Sequence, residues 1–179
     1  MSDIGVNLLA LRESFLRYMR IRFLANEIHV EAIENSYTQL IKWCEKHSNI
    51  ILMLMVEKRF ENNKEVREKY LLLKQRLVNP FGLHVHIGIP SQINSIPYDA
   101  QYEVIRFGKD FLKRCGIEVV DFSAGWFSFN SDTVKVCKEL GLVRFHIYKG
   151  QPIEQIGGMK IIGIRPFVIH DKDLYDVII

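Results

Sequence analysis

Short apolar runs alternate along most of this chain with stretches of helical period, and that alternation narrows its folds more than any other feature. In "NIILMLMVE", residues 50–56 are apolar and bounded by polar residues, the pattern of a strand buried on both faces. A helix is predicted before it over 36–47, where Tyr37, Leu40, Ile41 and Cys44 share a face. After it, Val66, Tyr70, Leu73 and Leu77 keep helical spacing until "NPFG", where Asn79 is disfavoured from helix ahead of Pro80 and Gly82 follows. "LHVHIGI" predicts the next strand. Val104, Phe111 and Cys115, with Ile105 and Leu112, form a helical stripe that ends at Gly116. "IEVVDFSAG" is a strand running into "WFSFNSDT", where Asn130 or Ser131 caps a helix over 132–140 with Gly141 at its end. "LVRFHIY" and "MKIIGIRPFVIH" supply the last strands. Strands alternating with helices make βα units around a mostly parallel sheet, so the fold class is α/β. The pattern leaves open whether that sheet is open or closes into a barrel.

A chain of 179 residues suits one domain spanning 1–179. Residues 1–24 are expected to form an N-terminal helix, through Leu8, Leu11, Phe15 and Tyr18, widened by Leu9, Leu16 and Met19. Its wide apolar arc serves either to cover the bottom of a barrel or to pair with another copy, which would make the protein a homo-oligomer. The next segment, "MRIRFLANEIHVE", is ambiguous. As a strand, residues 27–31 place Glu27, His29 and Glu31 on one face; as a helix, they scatter.

A net charge of +3 without a long basic tract gives no electrostatic footprint for nucleic acid. Apolar runs of six or seven residues are too short to span a bilayer. Arg12 and Glu13 interrupt the opening apolar run, so no signal peptide is expected. Cys44, Cys115 and Cys137 lie far apart in sequence, which speaks against a disulfide framework and a cysteine-type zinc site. The cytoplasm is the expected compartment.

"GLHVHIG" carries the chemistry. Residues two apart on a strand share a face, so His84 and His86 point the same way and Val85 and Ile87 the other. Two neutral imidazoles at the carboxyl end of a parallel strand can ligate one divalent ion. They can equally be core histidines bonded to nearby partners. His170 ends the run "IIGIRPFVIH", either at an active-site rim or in a solvated loop.

"FSAGWFSFNSDTVKVCKELGL" resembles the third signature of the polysaccharide deacetylase (NodB-homology) superfamily. "GLHVHIG" resembles its Gly-Leu-His-x-His motif and "FVIHDKDL" its late histidine motif, in the right order over roughly residues 50–176. The resemblance implies a distorted or incomplete (β/α) barrel and a divalent metal, zinc in expectation. It implies a metal-dependent hydrolase of an amide bond in an N-acetylated sugar, with carbohydrate or a small amide as the partner molecule. Carried onto this chain, His84 and His86 are metal ligands and His170 protonates the leaving amine. The family's Asp-Asp pair has no counterpart here. Glu27 is the expected replacement ligand, with Glu31 and His29 as further candidates, provided the segment is strand. Ser123 stands where the family has arginine. Asp121, two residues before it on the same face, is the candidate second catalytic group, or a strand-end carboxylate bonded to the next turn. Ser123 and Trp126 are the candidate substrate contacts, and Trp126 and Phe127 line a groove or simply pack. Three readings follow: an active hydrolase, a catalytically inactive relative that binds carbohydrate or a protein partner, and an unrelated α/β domain with structural histidines.

Overall fold

The structure is a computed structural model that describes residues 25–87, 92–148, 160–164 and 167–169. The expected N-terminal helix and His170 lie outside the described residues. In chain order the elements are β1 (Ala25–Ile28), α1 (Val30–Asn35), α2 (Tyr37–Lys46), β2 (Ile51–Met55), α3 (Lys64–Arg76), β3 (Phe81–Val85), α4 (Tyr98–Arg114), β4 (Asp121–Ala124), α5 (Ser131–Glu139), β5 (Arg144–Tyr148), β6 (Lys160–Ile164) and β7 (Phe167–Ile169). Short 3-10 turns occupy Lys58–Phe60, Ile93–Ser95 and Gly125–Phe127.

The strand order is β6-β5-β4-β3-β2-β1-β7, and every pairing is parallel. From β1 to β6 each strand lies beside its predecessor. Right-handed crossovers that all step in one direction place the helices on one face of the sheet. The other face is covered only if the sheet rolls onto itself. β7 sits on the far side of β1, yet two residues separate it from β6, so Ile164 and Phe167 are at most about 11 Å apart. The two ends of the strand order are thus drawn together, and the fold is an incomplete (β/α) barrel.

The two faces differ in chemistry. Leu52, Leu54, Leu83, Val85, Phe122 and Phe145 point outward into the main core, against Leu40, Tyr70, Leu73, Ile105, Phe111 and Val136 of the helices. Each such buried side chain contributes roughly 1.5–3 kcal/mol. Tyr70 is fully buried and its hydroxyl donates to the Met55 carbonyl. Asn63 and Asn130 accept from the Val66 and Thr133 amides to start α3 and α5, each cap contributing about 1 kcal/mol. The inward face holds a small apolar floor of Ala25, Ile51 and Met53, and above it Glu27, His84, Asp121, Ser123 and His146, all buried.

Three boundaries differ from the sequence pattern. β3 begins at Phe81, so Gly82 belongs to the strand. A Cβ there would lie 2.9 Å from Asp121 Cβ and 2.8 Å from Met53 Cε, which is why this interior position is glycine. β4 begins only at Asp121, because the Ile117 amide still bonds Leu112 at the end of α4. The ambiguous segment is both things: strand through Ile28, then helix from Val30, so Glu27 and Glu31 do not share a strand.

Candidate metal centre

β1 and β3 are neighbours of β2 on either side, and their carboxyl ends deliver three histidines to the mouth of the barrel. His84 is the penultimate residue of β3, and His86 follows the strand by one residue. His29 caps α1, immediately after β1. One ligand nitrogen from each lies within 4.8 Å of the others. The ring centroids of His84 and His86 are 4.6 Å apart, those of His29 and His86 5.3 Å, and those of His29 and His84 5.4 Å. The three can hold one metal ion.

The bottom of the site is buried and the top is partly exposed. His84 is fully buried, while His29 and His86 are partly exposed. Burial holds the His84 pKa well below the ordinary histidine value, and the neighbouring His86 and His29 lower it further. At neutral pH His84 is therefore neutral, the form a metal requires. Its Nδ1 lies 2.8 Å from Ser123 Oγ, 3.2 Å from the Ser123 carbonyl and 3.3 Å from Glu27 Oε1. Its Nε2 is buried and makes no hydrogen bond. A buried lone pair without a donor is costly unless a ligand completes it, so the residues fit a cation.

Glu27 is 3 % exposed, and burial raises its pKa to about 7, against a hydrogen bond from Ser123 that lowers it. The sequence places Glu27 as third ligand; in the structure the three convergent nitrogens come from His29, His84 and His86, and Glu27 lies beside Nδ1 of His84. Asp121 sits deeper still. Arg144 donates to both of its oxygens and His146 Nε2 lies 2.7 Å from Oδ1. Burial would raise the Asp121 pKa, but these two donors outweigh it and hold it below the usual carboxylate range.

His86 keeps its place because residue 125 has no side chain: a Cβ there would be 2.7 Å from the ring. The next two residues, Trp126 and Phe127, have φ of 57° and 51°, the left-handed region that side chains avoid. This strained turn leaves Trp126 60 % exposed, with its ring centroid 6.1 Å from that of His86. On its other side His86 lines a cleft of about 830 Å³ between the Lys58–Phe60 turn and α4, with Glu57, Arg106 and Phe107 in its walls.

No family model and no curated protein sequence matches the chain. Solved structures do. The chain is similar to a Streptococcus pyogenes deacetylase, PplD, in complex with acetate, at TM-score 0.60 and 12 % identity over 86 % of this chain and 67 % of that one. It is similar to a family 4 carbohydrate esterase from Streptomyces lividans in complex with acetate, at TM-score 0.60 and 9 % identity over 86 % and 82 % of the two chains. A 4-alpha-glucanotransferase from Thermococcus litoralis also matches, at TM-score 0.55 and 16 % identity, over 87 % of this chain and 28 % of that one. The fold is that of the polysaccharide deacetylases, the NodB-like family 4 carbohydrate esterases, at low sequence identity. Because a glucanotransferase shares the architecture, the fold alone does not select a chemistry.

The sequence offers His29 as a possible substitute beside Glu27 and Glu31 only in a strand through residue 31, whereas β1 ends at Ile28, and it gives no sign of Gly125. Gly125 lay within a quoted motif, but its contact with His86 spans 39 positions and leaves no local signal.

Proposed function

We propose that the protein is a metal-dependent hydrolase of an amide bond in an N-acetylated sugar, with His29, His84 and His86 as the metal ligands. The observation that carries this reading is the convergence of three ligand nitrogens at the barrel mouth, one from each histidine, beside a His84 whose Nε2 is buried and unbonded. Zinc is the proposed ion, because three imidazoles with room for a further ligand form one of its catalytic patterns. A divalent cation there supplies polarisation of the acetamide carbonyl and acidification of water.

The chain's own residues do the rest. His86 joins the centre to the adjoining cleft, where Glu57, Arg106 and Phe107 offer the mixture of charge and aromatic surface that a sugar chain meets well. Trp126 presents an exposed ring beside His86 for a sugar face. His170 is proposed to protonate the leaving amine. Supporting it, β7 ends at Ile169, which pairs with Ile28, the residue before His29. Asp121, held by Arg144 and His146, supports the interior beneath Ser123.

The test is acetate release from N-acetylglucosamine oligomers by metal-depleted protein before and after zinc loading. Zinc-dependent release that His84→Ala abolishes is the expected result. Failure to bind any divalent ion under any loading condition would refute the reading. A second reading, an inactive relative that binds carbohydrate or a protein partner, is favoured by one observation: among the described residues the convergent cluster contains histidines and no carboxylate. Stoichiometric zinc and tight glycan binding without acetate release would establish it.

A further inference from the structure

The metal centre leaves unexplained the two polar residues buried beneath it. Glu27 is 3 % exposed and Ser123 1 %. A carboxylate is almost never buried so deeply without a partner that needs it. What surrounds Glu27 is Ser123, which hydrogen-bonds to it, and Nδ1 of His84, 3.3 Å from Oε1. Seen from His84, the same two residues place three oxygens around one nitrogen: Ser123 Oγ at 2.8 Å, the Ser123 carbonyl at 3.2 Å and Glu27 Oε1 at 3.3 Å.

The protons on these groups can be assigned by counting donors. A carbonyl oxygen only accepts. An ionised carboxylate only accepts. The serine hydroxyl has one proton, and Glu27 is the acceptor it faces, so its remaining lone pair is what it offers to His84. The Ser123 carbonyl, 3.2 Å away, can present nothing but an acceptor to Nδ1, so Nδ1 carries the proton. A neutral imidazole has a single N–H. Nε2 is therefore left as a bare lone pair, and Nε2 is the atom of His84 that is buried without a hydrogen bond.

We infer that Glu27 and Ser123 are positioning residues of the metal centre, which hold His84 in its Nδ1–H form with the ring fixed so that Nε2 is presented to the ion. The inference rests on the metal-centre reading above. It assigns both residues a different task from direct contact with metal or substrate, and it accounts for their depth. Glu27 lies on β1 and Ser123 on β4, so two strands that are not neighbours grip one ring carried by β3. His29 and His86 lie at the partly exposed rim. The deep ligand is the one locked in advance, and that locking lowers the ordering required when the metal arrives.

The first measurement needs no metal. Long-range ¹⁵N–¹H correlation spectra of the metal-free protein report which ring nitrogen of His84 is protonated. The Nδ1–H form is expected in the wild type, and a mixture of forms in Glu27→Gln, whose amide can turn a donor toward the ring. An Nε2–H wild type would overturn the inference. The second measurement is zinc affinity by chelator competition. Glu27→Gln is expected to bind about 10–100-fold more weakly. Ser123→Ala is expected to fall in the same direction, and the double variant to lose less than the product of the two, since both act on one proton. Unchanged affinity in both single variants would overturn the inference and leave the metal centre standing. A wild type that binds no zinc would refute the metal centre itself, while the tautomer measurement still decides the state of His84. Should Glu27→Gln fail to fold, Ser123→Ala carries both measurements alone.

Discussion

A single methyl group at position 125 tests the metal centre severely. A Cβ there would lie 2.7 Å from Cγ of His86 and 2.8 Å from both Cδ2 and Nδ1. Non-bonded carbons settle near 3.5–4.0 Å, so the ring must retreat by roughly 1 Å. Metal–ligand distances tolerate about 0.2 Å. A displacement several times larger removes the donor atom of His86 from the ion in Gly125→Ala. The loss is that of one protein ligand in three, which exceeds a second-layer change and should reach at least about 100-fold in zinc affinity, or about 2.7 kcal/mol. The fold should survive, because the clash is with a rotatable ring at a partly exposed rim. Destabilisation of the metal-free protein should stay near the lower end of the ~1–3 kcal/mol that overpacking costs in closed cores. Chelator competition measures the affinity and calorimetry of the metal-free protein measures the stability. The decisive comparison is with His86→Ala: the double variant should bind no more weakly than His86→Ala alone. Gly125→Ala that binds zinc within about threefold of the wild type would refute the reasoning, as would a double variant whose losses multiply.

His29→Ala should lose zinc affinity by about 100-fold or more, while His29→Asp should keep a site and move its preference toward harder ions such as Mn²⁺; competition titrations with both metals read this, and an unaltered His29→Ala counts against the site. Asp121 has a folded-state pKa below its unfolded value, so its stabilisation is complete above about pH 4 and is lost as pH falls through the folded value. Asp121→Asn should therefore be less stable at pH 7, by about 3 kcal/mol since Arg144 is part-exposed, and should show a flatter acid limb in urea titrations from pH 7 to pH 2; an equally steep limb rejects the assignment. Trp126→Gly should leave stability unchanged or raised, since glycine accepts the left-handed turn that costs a side chain about 1 kcal/mol. It should also weaken sugar-oligomer binding about tenfold, and calorimetry showing full affinity would remove Trp126 from the substrate path.

The barrel was partly legible because its signals are local. The apolar runs at β2 and β3 read directly, and the period-two rule put His84, Ser123 and Asp121 on one face each of their strands without any tertiary information. What stayed hidden depends on events inside a few residues or across many. The segment around His29 changes from strand to helix between Ile28 and Val30, so neither period persists long enough to be recognised. Asp121 looked available because the register that sets it against Arg144 is not written in either strand alone. The rolling of the sheet depends on β7 pairing with β1, some 140 positions apart in the chain. The resemblance to deacetylases supplied the barrel where pattern could not, and its missing Asp-Asp pair drew attention to the segment that carries both Glu27 and His29.

The interior of this barrel is built in two layers with different purposes. In the lower one, Arg144 on both oxygens and His146 neutralise the charge of Asp121, although Nδ1 of His146 is itself buried without a hydrogen bond. In the upper one, His84 is left with a buried nitrogen that bonds to nothing. Well-packed apolar side chains would serve stability better than either layer. The upper layer is therefore a place where the metal-free fold gives up stability, and the same burial keeps His84 from holding a second proton, so no proton competes for its lone pair at neutral pH. A cation that binds only the folded state restores what was given up, about 2.7 kcal/mol at a free concentration 100 times its dissociation constant. The thermal stability of this protein should accordingly rise with free zinc, whereas a histidine cluster that served only as packing would leave it flat.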